Sequence, residues 1–343
     1  MIKKRCSTTV SLAAPPQQRW IPVVEKYAED VRILVADMME AVDEILDTST
    51  SKWLKRLLWM VNSGLGSACL GIFRGEWIQE IRGIAKASGV PLAQLIAANL
   101  VYDLAQLSDR WMPTACSSYS FNSDTGPTLA RNMDWCWPDT IGRHTKVVQM
   151  VGGVRDYYSV IVPGQVGVLS AFSPGHWAVT LNQAPAANVR LNFNYPPAMW
   201  AMREILSGAD SFESLCLRAK LSRTATPFFA HCVGTESHEH AVISKIPDSY
   251  DIRYDDDLGL SQTNHYVGSL SKLNPDVTTG VDEDGEEWEY DSEERFQILA
   301  EALNYSEDPL DVLMREPIFN SGTMQTMVFN PSSGSRQVWA HER

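Results

Sequence analysis

The chain has 343 residues, 44% hydrophobic and 21% charged, which is ample for one large core or two small ones. Its net charge of −13 is uneven: residues 1–115 carry 13 Lys/Arg against 12 Asp/Glu, and the remainder carries 16 against 30. A nucleic-acid binder needs a basic stripe, and none exists here, so that class is excluded.

The amino terminus opens Met-Ile-Lys-Lys-Arg and continues as a short polar stretch, too brief for a signal peptide. No run approaches a membrane span, and a cytoplasmic protein is expected rather than a secreted or lysosome-like one. Residues 20–47 are helical by period, with Val24, Val31, Leu34, Val35, Met38 and Val42 at steps of three and four. A Thr48-Ser-Thr-Ser51 cluster ends that helix and caps a segment with two Trp, three Leu and three bases between Lys52 and Val61. Such a segment, continuing to Phe73, fits a helix lying on a lipid surface, and equally a core helix with snorkelling bases. Helices follow over Gly75–Gly89 and, with Pro91 at its first position, over Leu92–Leu107. The polar stretch Ser108-Asp-Arg-Trp-Met-Pro113 reads as an exposed linker.

From residue 116 the pattern changes to strands. Ser117–Phe121, a turn over Asp124-Thr-Gly-Pro127 and a return strand from Thr128 form a hairpin. It brings Arg131 and Asp134, 15 and 18 residues after Cys116, back towards that cysteine. A thiol beside a guanidinium and a carboxylate is the makings of an activated nucleophile, although a lone Cys is more often a small buried hydrophobe. Further strands are expected at 146–151, 157–162, 166–170, 177–181, 228–233, 241–246 and 258–262, with helices at 196–206, 211–221 and 292–303. A closing hairpin joins 323–329 to 336–339. Strands with helices grouped between them predict an α+β fold, two sheets sandwiched by helices in an αββα order.

Several clusters carry no site. The cysteines at 6, 69, 116, 136, 216 and 232 have neither CxxC pairing nor regular spacing, so no zinc site or disulfide framework is indicated. His238-Glu-His240 reads as a surface strand or loop. The nine acids between Val281 and Glu294 lack calcium-loop spacing and read as a solvated loop before a helix. No metal or cofactor is called for.

Cys116-Ser-Ser followed by Ala130-Arg-Asn-Met-Asp-Trp135 resembles the nucleophile segment of the choloylglycine hydrolase/acid ceramidase superfamily of N-terminal-nucleophile (Ntn) hydrolases. The helical stretch Glu80-Ile-Arg-Gly-Ile-Ala with Val90-Pro-Leu-Ala-Gln-Leu-Ile-Ala-Ala-Asn-Leu-Val-Tyr-Asp-Leu is similar to the segment before the nucleophile in its lipid-amidase branch. The resemblance implies the Ntn αββα fold and cleavage of Ala115–Cys116. That would give a helical α-like segment (1–115) and a catalytic β-like segment (116–343) that stay associated. Residue by residue it implies Cys116 as nucleophile and Arg131 beside the sulfur, with Asp134 holding the Cys116 amine. Asn182 is implied at the oxyanion site, Asn264 as a second polar site residue and Arg295 at the opening of the following helix. Gln183 replaces a usual Glu, and His265-Tyr266 a usual Tyr-Asp. The implied activity is hydrolysis of an N-acyl lipid amide, of N-acylethanolamine or ceramide type, through a thioester. The alternatives are an acyltransferase, an acylase for a non-lipid amide, or a catalytically silent lipid-binding homologue.

Overall fold

The computed structural model describes residues 1–48, 75–106, 116–135, 140–255, 257–275, 279–281, 287–289 and 291–342. The proposed lipid-contact stretch 52–73, the linker at 108–113, Ala115 and the centre of the acidic run lie outside these residues.

The chain begins with strands, β1 (Ile2–Lys3) and β2 (Cys6–Ser11), where the sequence suggested only a polar leader. Val10 is the one fully buried residue of β2, so the two-residue periodicity that marks a strand is absent. Helix α1 (Ile21–Thr48) buries Val24, Val31, Leu34, Val35, Met38 and Val42 as one stripe, and leaves helical geometry at Tyr27 (φ −132°, ψ 31°). Helix α2 (Glu76–Ser88) stops at Gly89, which takes the left-handed conformation at φ 78°. Helix α3 (Leu92–Ala105) starts after Pro91, which caps the helix instead of entering its first turn.

The predicted hairpin forms from β3 (Cys116–Ser123) and β4 (Gly126–Asp134), with a tighter turn than expected. Gly126, at φ 110°, already pairs with Ser123, and Pro127 pairs with Asn122. Asn330 Nδ2 holds the turn by donating to Gly126 O at 3.1 Å and Thr128 Oγ1 at 3.0 Å. Next come α4 (Thr140–His144), β5 (Lys146–Val151), β6 (Tyr157–Ile161), β7 (Ser170–Ser173) and β8 (Trp177–Gln183). The expected strand at 166–170 is instead mostly buried loop. Side chains satisfy its backbone: Val166 N–H donates to Asn99 Oδ1 and Val166 O accepts from Arg203, both at 2.8 Å.

Helices α5 (Ala198–Ser207) and α6 (Phe212–Leu221) follow, the second capped by Ser211 Oγ accepting from Ser214 N at 3.1 Å. Then come β9 (Phe228–Val233), β10 (His240–Ile246), β11 (Ser249–Asp255) and β12 (Gly259–Gln262). Sequence reasoning missed β11, an edge strand with no fully buried residue. The short pair β13 (Thr279–Val281) and β14 (Glu287–Glu289) precedes α7 (Ser292–Ala302), α8 (Pro309–Leu313), β15 (Thr323–Asn330) and β16 (Ser335–Ala340).

Six strands join in the order β1-β16-β15-β4-β3-β12, and eight in the order β11-β10-β9-β8-β7-β6-β5-β2. The sheets face each other where β3 and β4 meet β8 and β9. Helix α6 lies against β9 and β10, while α7 packs on β3 and β12 and α8 on β4 and β15. This is the expected αββα sandwich. The amino-terminal segment is not helical throughout, because it gives one strand to each sheet.

Buried polar contacts bind that segment to the rest. Glu80 of α2 takes both terminal nitrogens of Arg203, at 2.6 and 2.7 Å. Asp103 of α3 caps α5 from outside, its Oδ1 accepting from Ala198 N at 3.1 Å and Thr226 Oγ1 at 2.5 Å. Burial pushes the Asp103 carboxyl up to about 6, against the pull of those two bonds. A carboxyl raised in the fold favours the protonated state, so its contribution is greatest in acid and is lost as pH rises from about 4 to about 6. Asp103→Asn should therefore gain stability relative to the parent across that window, by roughly 3 kcal/mol between pH 4 and pH 7 in denaturant unfolding. A pH-independent difference between the two proteins would contradict this.

Candidate active site

Strand parity decides which hairpin residues reach the sulfur. Alternate residues share a face, so Cys116, Ser118 and Ser120 point together into the space between the sheets. Cys116 pairs with Met133 and Ser118 with Arg131, which puts Arg131 on that same face, one diagonal step from the cysteine. Its Nη2 donates to Cys116 Sγ at 3.2 Å and to Leu181 O at 2.6 Å, and its Nη1 donates to Ser170 Oγ at 2.5 Å. The guanidinium bridges the two sheets at the sulfur, and both side chains are buried.

Asp134 has the opposite parity. It shares a face with Asn132, whose Nδ2 donates to Leu313 O at 2.7 Å on the α8 side of the sheet. Its Oδ2 accepts from Asn320 Nδ2 at 3.1 Å, and its Oδ1 is buried with no partner. Burial pushes the Asp134 carboxyl up to about 7, opposed by Arg295 and by hydrogen bonds from Thr323 and Asn320. The expected bond from the Cys116 nitrogen to Asp134 is not made. That single N–H donates to Asn264 Oδ1 at 2.8 Å.

Asn264 and Arg295 close a ring around the backbone of Cys116. Arg295 Nη1 donates to Cys116 O at 3.1 Å and to Ser117 Oγ at 2.8 Å, and its Nη2 to Asn264 Oδ1 at 3.3 Å. Its Nε is held at 2.7 Å by Asp291, four residues earlier at the N-cap of α7. Sequence reasoning counted Asp291 only as part of a solvated acidic run. The i,i+4 spacing to Arg295 was the signal that distinguished it. Gly259 lets β12 close against β3, because a Cβ there would lie 1.9 Å from Ser120 O. Thr263 and Ser292 seat Asn264: Ser292 Oγ receives Asn264 N at 2.9 Å and donates to Thr263 Oγ1 at 2.9 Å.

Asn182 stands beside this group but is turned differently from expectation. Its Nδ2 donates to Ser118 Oγ at 3.0 Å and Gln262 O at 2.9 Å, so neither hydrogen is available to an oxyanion. Its Oδ1 is buried and unpartnered. Gln183 contributes its backbone oxygen to Asn264 Nδ2 at 3.0 Å. His265 packs edge-on against Phe296 and meets Ser292 Oγ at 2.9 Å, supporting the start of α7. The structure thus joins Cys116, Arg131, Asn264 and Arg295 directly, and sets Asp134 and Asn182 on either side. His240, read from sequence as a surface residue, is buried between the sheets. Among the described residues no three His, Cys, Asp or Glu side chains converge as metal ligands.

A profile for the family described as the beta subunit of N-acylethanolamine-hydrolyzing acid amidase matches residues 8–65. The match falls on the segment named α-like above, so the subunit letters do not correspond. N-acylethanolamine-hydrolyzing acid amidase of Caenorhabditis elegans is 24% identical over 246 residues, which is 69% of this chain and 66% of that protein. Acid ceramidase of Mus musculus is 25% identical over 263 residues, 69% of this chain and 62% of that protein. The chain thus spans less than two thirds of the length of these relatives. Acid ceramidases and N-acylethanolamine acid amidases are its relatives. The solved Caenorhabditis elegans amidase ortholog superposes with a TM-score of 0.51 at 17% identity, over 66% of this chain and 99% of that one, and the sandwich is the Ntn-hydrolase fold.

A buried guanidinium favours a negative sulfur in contact with it. Arg131→Met should slow alkylation of Cys116 by iodoacetamide at pH 7 by about tenfold or more, read by peptide mass. An unchanged rate would show that Arg131 does not activate the thiol.

Proposed function

We propose that this protein is a cysteine Ntn amidase that hydrolyses N-acyl amides of lipids, of the N-acylethanolamine or ceramide type, after autocatalytic cleavage of Ala115–Cys116. The observation that carries the reading is Cys116 Sγ, at the first residue of the buried strand β3, held at 3.2 Å by a buried Arg131. The relatives named acid amidase and acid ceramidase support the substrate class.

Cleavage supplies what an internal cysteine lacks. Cys116 Sγ attacks the Ala115 carbonyl carbon, the peptide C–N bond breaks, and water hydrolyses the resulting thioester. Ala115 is left as a carboxylate and Cys116 with a free amine. An α-amine with an ordinary pKa of about 7.7–8.0 is able to take the proton of its own thiol. The same sulfur then attacks the substrate carbonyl, the protonated amine departs, and a second water releases the fatty acid. Arg131 stabilises the sulfur anion at both stages. Asn264, seated by Arg295 and Ser292, is the amide nearest the nucleophile backbone, and its Nδ2 is the group we assign to the tetrahedral oxyanion once Gln183 O is released.

Asp134 takes the freed amine in this reading. Its unpartnered Oδ1 belongs to β4, the strand paired with β3, on the opposite face from the Cys116 sulfur, and an ammonium brings additional N–H donors. The strands and buried ion pairs shared with the amino-terminal segment support two fragments that remain associated after cleavage.

Denaturing electrophoresis with amino-terminal sequencing should give two fragments from the parent, the larger beginning Cys-Ser-Ser-Tyr. Cys116→Ala should stay a single 38.3 kDa chain and turn over a panel of N-acyl amides at least about 10³-fold more slowly than the cleaved parent. An intact parent, or a variant as fast as the parent, would overturn the proposal.

A further inference from the structure

A polar column crosses the interior between the sheets, and no step of the reaction above uses it. It runs from Asn122 at the surface through His240, Ser120, His231 and Ser118 to Asn182. His240 Nε2 lies 3.2 Å from Asn122 Oδ1, and His240 Nδ1 lies 2.9 Å from Ser120 Oγ. His231 bridges Ser120 Oγ through Nε2 and Ser118 Oγ through Nδ1, each at 3.0 Å. Ser118 Oγ in turn accepts from Asn182 Nδ2 at 3.0 Å. Except for Asn122, every member is buried.

Donor and acceptor counting fixes the direction of the whole column. Asn122 Nδ2 faces two carbonyls, Ser237 O at 2.9 Å and Asp257 O at 3.3 Å, so its Oδ1 must be the acceptor for His240. His240 therefore carries its proton on Nε2 and, being neutral, accepts at Nδ1 from the Ser120 hydroxyl. Ser120 has then no proton for His231, so His231 donates from Nε2 and accepts at Nδ1 from the Ser118 hydroxyl at 3.0 Å; Gln262 O, 3.1 Å from the same hydroxyl, is already served by Asn182 Nδ2 at 2.9 Å. Ser118 can thus only accept from Asn182. A flipped Asn182 amide would set its oxygen against Gln262 O, two acceptors in contact. Burial keeps both imidazoles neutral, and Arg253 and His240, which face His231, reinforce this for His231.

The consequence is a buried amide beside the nucleophile with both hydrogens engaged and a bare carbonyl oxygen. We propose that Asn182 Oδ1 is the acceptor for the N–H of the substrate amide, and that His231 and Ser118 are positioning residues that hold it in that orientation. This rests on the amidase reading and adds a specificity to it: the site selects a bond that carries an N–H over an ester that does not. A site built to pair a substrate N–H discriminates against the analogue lacking it, because the acceptor is then left buried and unpaired.

The test compares the cleaved parent and variants on an N-acyl amide and the ester with the same acyl chain and alcohol-for-amine replacement. Asn182→Ala should lower kcat/KM for the amide by about 10- to 100-fold and for the ester by less than about threefold. His231→Leu should lose the same selectivity, and His231→Gln, which has both an acceptor and a donor, should recover most of it. Amide and ester falling together would overturn the assignment, with Asn182 then serving the nucleophile's own amine. A parent that hydrolyses neither substrate would sink the amidase reading instead. Independently of activity and of variant folding, nitrogen NMR of the parent should find His231 protonated at Nε2 only, from pH 5 to pH 8. The other tautomer, or an imidazolium, would overturn the column's direction.

Discussion

The contact on which the site depends is a cation buried between two sheets without a carboxylate hydrogen-bonded to it. Arg131 is held by Leu169 O, Leu181 O, Ser170 Oγ and Cys116 Sγ, and the first three are neutral. Removing a guanidinium from water costs several kcal/mol that neutral acceptors offset only in part. The remaining demand falls on the sulfur, the one partner able to become an anion. The same contact explains why the hairpin must be in its observed register, since a slip of one residue would turn Arg131 to the opposite face.

Two other arginines are as deeply buried and are handled differently. Arg203 faces the Glu80 carboxylate with two bonds and stacks over Trp77, with 4.7 Å to the ring centroid. That pair joins α2 to α5, and truncating either partner would leave an uncompensated charge. Arg295 is neutralised by Asp291 through Nε, which leaves both terminal nitrogens for Cys116 O, Ser117 and Asn264. Arg203 thus serves cohesion and Arg295 serves alignment. Of the three, Arg131 presents its charge to the Cys116 sulfur.

The legible parts of the chain were those with a strong local period or a motif. The stripe of α1, the hairpin after Cys116 and the closing hairpin were visible because burial follows a simple repeat there. The strand at Cys6–Ser11 and the edge strand β11 were not, because each has at most one fully buried residue and neither sheet face is clean. Among site residues, Cys116 and Arg131 could be paired by counting along a hairpin. The separate facing of Asp134 follows from parity, a rule available from sequence once the register was fixed. The orientation of Asn182 was beyond reach, since it is set by Ser118 and His231, partners 64 and 113 residues apart in sequence from the groups they contact.

Some of the buried polar atoms without a hydrogen-bond partner gather near Cys116, while others, such as Asp103 Oδ2 and Arg253 Nε, lie elsewhere. Asp134 Oδ1, Asn182 Oδ1, Gln183 Oε1 and Arg131 Nε belong to residues of the β3–β4 hairpin or of the strand β8 opposite it. Buried polar groups in a core selected for stability are paired almost without exception. The column through His231 shows that this protein can satisfy a long run of buried polar groups, serine by histidine, when nothing else is asked of them. Asn182 Oδ1 and Gln183 Oε1, neighbours at the end of β8, are the two acceptors that the reading proposed above leaves for a donor arriving from outside. The fold tolerates this local departure because the ion pairs and strands at its periphery hold the sandwich closed around it.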